Sequence, residues 1–208
     1  MPEIVLSDRR IATSDWTLVR YPASNDPQPY ARGKAGLARN TGDEAAPAEL
    51  VATLPMPAHG KLIVPLAVWR ARRDALQARF EAGELAVWLD ACETVETLVE
   101  SVHLAAAPLV ALDFPKAGDG RAYSSARLLR ERFAYRGPLW AVGDVLRDYF
   151  FFMFRCGFDT LLPRDGRYTH AQLEDAVAKL GLFQNPYQGA ADDPRPLWRR
   201  VQRAPLHA

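Results

Sequence analysis

Cysteine is scarce in this chain: Cys92 and Cys156 are the two among 208 residues, and neither sits in a C-x-x-C pair. That excludes a disulfide framework, a zinc knuckle and an iron–sulfur cluster supplied by this chain alone. The histidines His59, His103, His170 and His207 are scattered without metal-ligand spacing, so no metal is expected. Also missing are a G-x-G-x-x-G after an early strand, a Walker lysine and a G-x-S-x-G elbow, and the cofactor is left unknown. Charge of one sign is lacking as well. A formal net charge of +1 gives no general pull toward nucleic acid or a membrane surface. Long apolar runs are absent: the best, around Tyr149 to Phe154, falls far short of the roughly 20 residues of a spanning helix. The start, MPEIVLSDRR, meets charge before any apolar signal core, so a cytoplasmic location is expected by elimination.

What is present fits one globular domain with appended segments, 49% hydrophobic and 25% charged. Residues 1–20, with two strand-like runs broken at Ser7-Asp8-Arg9-Arg10, read as an N-terminal hairpin. Residues 21–58, rich in Pro, Gly, Asn, Asp and Ala, read as a loop or partly disordered insertion. Residues 59–184 form the α/β domain, and the Pro-rich, basic tail 185–208 wraps or frays.

Within the α/β segment, apolar runs alternate with helical patterns. Strands are predicted at Leu62 to Pro65, Glu84 to Asp90, Leu109 to Phe114, Leu139 to Asp144 and Phe158 to Pro163. Between them, Trp69, Leu76 and Phe80 share one helical face, with Arg72, Arg73 and Arg79 toward solvent. Val95, Leu98, Val99 and Val102 share another, and further helices are predicted over Ser124 to Phe133 and Val145 to Arg155. Thr169 and Gln172 match a capping box, with Gly181 closing that helix. The alternation predicts a parallel sheet of four to five strands built from successive βα units. Its order is open between a flavodoxin-like open sheet and a half (β/α)-barrel.

In either order, ligands bind at the carboxyl ends of the strands. That edge gathers Asp90, Asp113, Lys116, Asp119, Arg121, Gly143, Asp144 and Arg164. The loop PKAGDGRAYSS combines Lys116 and Arg121 with two glycines and a helix start at Ser124 and Ser125, which suits a small oxyanion such as sulfite, sulfate or phosphate. The plainer reading is a strand–helix connection with a serine cap. Asp144 is either a helix cap or a general base. Asp113, inside an apolar run, is expected to pair with Arg121 or Lys116, as a structural bridge or a catalytic partner. Tyr123 is a candidate for proton chemistry, and Cys156, beside Arg155, for thiol chemistry. Arg127, Arg130, Arg132 and Arg136 read as a solvated basic face or as a dock for an acidic protein. In YFFFMFRCGFD aromatics on every side imply burial all round, within the core or at a homodimer interface.

The stretch DFPKAGDGRAYSSARLLRERFAYRGPLWAVGDVLRDYFFFMFRCGFD resembles the central signature of a bacterial domain-of-unknown-function family whose usual label is an oxidoreductase of sulfite reduction. The family pattern runs FPKFTDGRGYS, ARLLRER, AVGDVLRD and RCGFD. The likeness is dense from Leu109 to Asp159 and weaker back to Leu62. The chain departs at Ala117 and Gly118, where the family has Phe and Thr, and at Ala122, where Gly is usual. The resemblance implies an accessory protein or oxidoreductase of assimilatory sulfite reduction and cysteine biosynthesis. It supplies no catalytic residues. The alternative is a non-catalytic module docking on sulfite reductase or another assimilation enzyme.

Overall fold

The computed structural model describes residues 2–22, 45–182, 189 and 195–200. Its strands are β1 (Glu3–Leu6), β2 (Ile11–Thr13), β3 (Trp16–Leu18), β4 (Lys61–Pro65), β5 (Leu85–Leu89), β6 (Val110–Phe114), β7 (Leu139–Gly143) and β8 (Thr160–Pro163). The helices are α1 (Ala48–Thr53), α2 (Leu66–Ala71), α3 (Arg73–Glu81), α4 (Val95–Ser101), α5 (Arg121–Glu131), α6 (Phe150–Arg155), α7 (His170–Lys179) and α8 (Leu197–Arg200).

All eight strands join one mixed sheet in the order β2-β1-β8-β7-β6-β5-β4-β3. From β3 to β8 every pairing is parallel, while β1 runs antiparallel to both β8 and β2. The parallel strands therefore number six, not four to five, and the hairpin extends the sheet instead of standing apart from it. Because β4 to β8 are neighbours in chain order, right-handed crossovers place their helices on one face, and the sheet curls away from them. A flavodoxin-like sheet reverses its order partway. This one does not, so the half-barrel arrangement is the one formed.

The chain path also draws the sheet's two ends together. Strands β2 and β3 lie at opposite edges, yet only Ser14 and Asp15 connect them. At one corner the edges are thus within about 11 Å, the reach of three extended residues. The Ser14 hydroxyl accepts the Trp16 N–H at 3.1 Å, and the Ser14 N–H donates to the Pro2 carbonyl at 3.0 Å, which turns the chain there. A run that reads as one hairpin strand, IATSDWTLVR, is split by this turn into two strands of opposite fate.

Strand alternation sorts the core into two layers. Phe114 stacks on Tyr123 of α5 with ring centroids 5.0 Å apart, so the side of Phe114 is the helix side. Register then places Trp88, Ala111, Asp113, Trp140 and Val142 on the opposite, inner face. All five are buried, and the two indoles supply much of the volume inside the curl.

Some local expectations change. The helical pattern after Pro65 breaks at Arg72 (φ −123°), giving α2 and α3 in place of one helix. Arg72 and Arg79 donate to the carbonyls of Leu54, Pro57 and Gly60, so they fasten the segment before β4 and do not point freely into solvent. Helix α1 lies within the stretch 21–58 expected to be loop. Residues 23–44 and most of the tail lie outside the described residues. The capping box forms: Thr169 accepts from the Gln172 N–H, and Gln172 accepts from the Thr169 N–H.

Candidate functional site

The carboxyl ends of β3, β5, β6 and β7 build a charged mouth over the inner face. Asp113, at the end of β6, is 1% exposed and bonds the Arg20 guanidinium at 2.7 Å. Its partner is neither Arg121 nor Lys116, as expected from the sequence, but a residue 93 positions earlier, carried in by β3. Two contacts hold Arg20 in place. The Trp88 indole N–H donates to the Val19 carbonyl at 2.9 Å, pinning the chain end that bears Arg20, and the guanidinium lies 5.6 Å from the Trp88 ring centroid. Apart from the bond to Asp113, the guanidinium makes no hydrogen bond with the described residues.

Gly143 completes the floor. Its φ of +101° and its crowding both demand glycine: a Cβ there would meet Asp113 Oδ1 at 2.6 Å and the Phe114 carbonyl oxygen at 2.5 Å.

Beside this pair stands Asp90, one residue past the Leu89–Leu112 register and so level with Asp113. Asp90 is 6% exposed, and burial, then the neighbouring Asp113, raises its proton affinity. Glu93 accepts the Asp90 N–H at 2.9 Å, and burial pushes its carboxyl up to about 7. Asp90 Oδ1, Asp113 Oδ2 and the Tyr21 hydroxyl are buried without a hydrogen-bond partner. Burial also raises the Tyr21 phenol, helped by Glu93 and Asp90, and lifts the Cys92 thiol to about 11. Buried polar atoms of this kind normally find partners. Their concentration here gathers buried polar atoms that a polar ligand's own donors and acceptors could meet.

The loop singled out in the sequence has a different internal economy. Asp119 accepts the Arg121 backbone N–H at 3.1 Å and bonds its guanidinium at 2.5–3.2 Å, which holds the Asp119 carboxyl below its ordinary range. The protein's own carboxylate thus occupies the start of α5. That start lies at Arg121, not at the serines; Ser124 and Ser125 are inside the helix, and Ser125 donates to the Arg121 carbonyl. Lys116 is exposed at the rim. Asp144 accepts the Ala117 N–H at 2.9 Å and lies 3.4 Å from Arg167, so it ties the β6 and β7 loops together.

Tyr123 is not near Asp113. It sits between Phe114 and Phe152 on the helix side, where burial pushes its phenol up to about 12. Cys156 is 7% exposed, and burial raises its thiol more than Arg127 and Arg155 lower it, so the activated-thiolate expectation does not hold. Arg130 leaves the expected basic face altogether. Buried at 9% exposure, it donates to the carbonyls of Tyr135, Gly137 and Gly157 and to Asp159. The aromatic helix α6 buries Phe150 and Met153 but leaves Phe152 45% exposed, with Tyr149 just before it at 42%.

Sequence reasoning placed Asp90 and Asp113 at this edge but missed Arg20, Tyr21 and Glu93. No motif marks Arg20; its role follows from a three-residue strand pairing with β4. Two clefts of about 770 Å3 each open away from the mouth, where helices return to strands. One lies between His103 and Tyr135, and the other is ringed by arginines. Among the described residues, no three His, Cys, Asp or Glu side chains are grouped to hold a metal ion, and no helix is long and apolar enough to cross a membrane.

No curated protein and no solved structure matches the chain. A family model does, over residues 86–198, which takes in β5 to β8 and the acidic side of the mouth. With more than half of its length matched, the chain belongs to the family described as bacterial protein of unknown function (DUF934).

Proposed function

We propose that the mouth above Trp88 binds a small oxyanion, and that through it the chain serves assimilatory sulfite reduction, as an accessory protein or as an oxidoreductase using a carrier from elsewhere. One observation carries the binding: Arg20, anchored by buried Asp113, stands beside Asp90 and Glu93, whose proton affinities burial raises. The guanidinium, the Tyr21 hydroxyl and, below about pH 7, the Glu93 carboxyl are donors suited to an oxyanion's oxygens. The sulfur part of the reading rests on the signature between Leu109 and Asp159. On this reading, Lys116 supplies charge at the rim, and Arg121, held by Asp119, is a secondary contributor.

Calorimetric titration with sulfate tests the seat, because sulfate keeps its charge across the relevant pH range. Binding is expected to be stronger below the Glu93 value of about 7 than above it, and to be lost in Arg20→Ala. Equal affinity in wild type and Arg20→Ala would remove the assignment. A deletion strain complemented with Arg20→Ala links the seat to the pathway: growth is expected on sulfide but not on sulfite.

A second reading has its own observation. The exposed rings of Tyr149 and Phe152, both beside Tyr123, offer an apolar face for a second copy or for sulfite reductase. Sedimentation of Phe152→Lys against wild type separates the two, since that substitution leaves the mouth untouched.

A further inference from the structure

At the opposite edge of the sheet, the second cleft is built from four separate parts of the chain. Arg9 comes from the β1–β2 turn, Arg136 from the approach to β7, Arg155 from the end of α6 and Asp159 from the start of β8. Its lining carries four guanidinium groups, those of Arg9, Arg130, Arg136 and Arg155, against the one carboxylate of Asp159, and Arg155 has contacts of its own. The one carboxylate is committed, because Asp159 bonds Arg130 at 2.6 Å and also accepts the Leu139 N–H at 2.9 Å. Arg9 and Arg136 are exposed and make no ion pair with the described residues. Cations collected around a concavity repel one another unless an anion joins them.

The walls say more about that anion. Phe151 and Phe154 line the same cleft, and the Arg155 guanidinium lies 5.6 Å from the Phe151 ring centroid. A volume of about 770 Å3 falls within the roughly 300–1,000 Å3 of small-molecule sites. Arginine forks match phosphate oxygens in pairs, and a flat ring packs on phenylalanine. We infer that this cleft binds a ring-bearing phosphate monoester, of the nucleoside monophosphate kind, with Arg9 and Arg136 on the phosphate and Phe151 or Phe154 against the ring. The site is separate from the mouth, and it stands or falls independently of the oxyanion seat there.

Titration of the full chain with AMP, inorganic phosphate and adenosine tests the inference. AMP is expected to bind saturably, phosphate more weakly and adenosine not at all. The double variant Arg9→Gln/Arg136→Gln is expected to lose at least about tenfold in AMP affinity at an unchanged melting temperature, whereas Arg132→Ala, outside the cleft, binds AMP like wild type. Should the double variant melt lower, Arg9→Gln alone, in an exposed turn, serves instead. The inference is overturned by an absence of saturable AMP binding or by an affinity indifferent to these substitutions. It is equally overturned if a glutamate-rich peptide binds the cleft and AMP fails to displace it.

Discussion

The chemistry of this protein concentrates in a few residues that satisfy one another incompletely. Asp113 is buried against the half-exposed Arg20, so the two removals are not equivalent. Arg20→Ala strands a buried carboxylate and is expected to cost about 3–5 kcal/mol, whereas Asp113→Asn strands no charge there and is expected to cost distinctly less. Urea unfolding of the two variants checks the order; equal losses would mean the pair is not what holds that corner. Glu93 gives a pH signature. Its folded value of about 7 lies above its ordinary 4.5, so between those values the unfolded chain gives up this proton more readily than the folded one. Stability therefore falls as pH rises through that window and levels off above it, by at most about 3 kcal/mol for this group. Glu93→Gln is expected to flatten the slope and to gain stability above neutral pH. Some slope remains, because Asp90 is raised in the same direction. Melting temperatures measured across the window decide it.

Among the elements, α5 does more than cover the sheet. Through Arg130 it ties down three carbonyls and Asp159, joining the turn before β7 to the turn before β8. Arg130→Ala leaves those acceptors without their donor and is expected to destabilise by about 3–5 kcal/mol, while Arg132→Ala, at an exposed ion pair with Glu96, is expected to change stability by less than about 1 kcal/mol. Denaturant midpoints of the two variants make the comparison. A stretch of arginines therefore does not reveal by its spacing which one is buried. What the sequence did show were elements whose local pattern and tertiary role agree. The capping box at Thr169 is self-contained, and the runs LAVWL, VALDF and LWAVG are apolar because both of their faces are covered. What it hid were features settled by distant partners. β3 is too short to announce itself, and Arg20 acquires its meaning only when β3 lands beside β4. Asp90 and Asp113 were visible as edge residues, but their mutual influence needed the register between β5 and β6.

For the whole molecule, the decisive feature is that the hairpin finishes the sheet. Strand β1 covers the free side of β8, and β2 covers β1. A chain begun at Ser14 leaves the backbone of β8 open along its length. Such an edge invites pairing with another copy. That truncated chain is expected to form larger species in sedimentation experiments than the full chain does, and an unchanged size would show the edge to be protected by other means. The same arrangement has a consequence in time. Val5 pairs opposite Leu161, so β1 meets β8, its neighbour on the inner side of the sheet, only after 156 further residues have been added. At ordinary rates of synthesis that interval is roughly 8–30 s. Throughout it, Ile4 and Val5, buried in the finished fold, have β2 beside them but not yet β8.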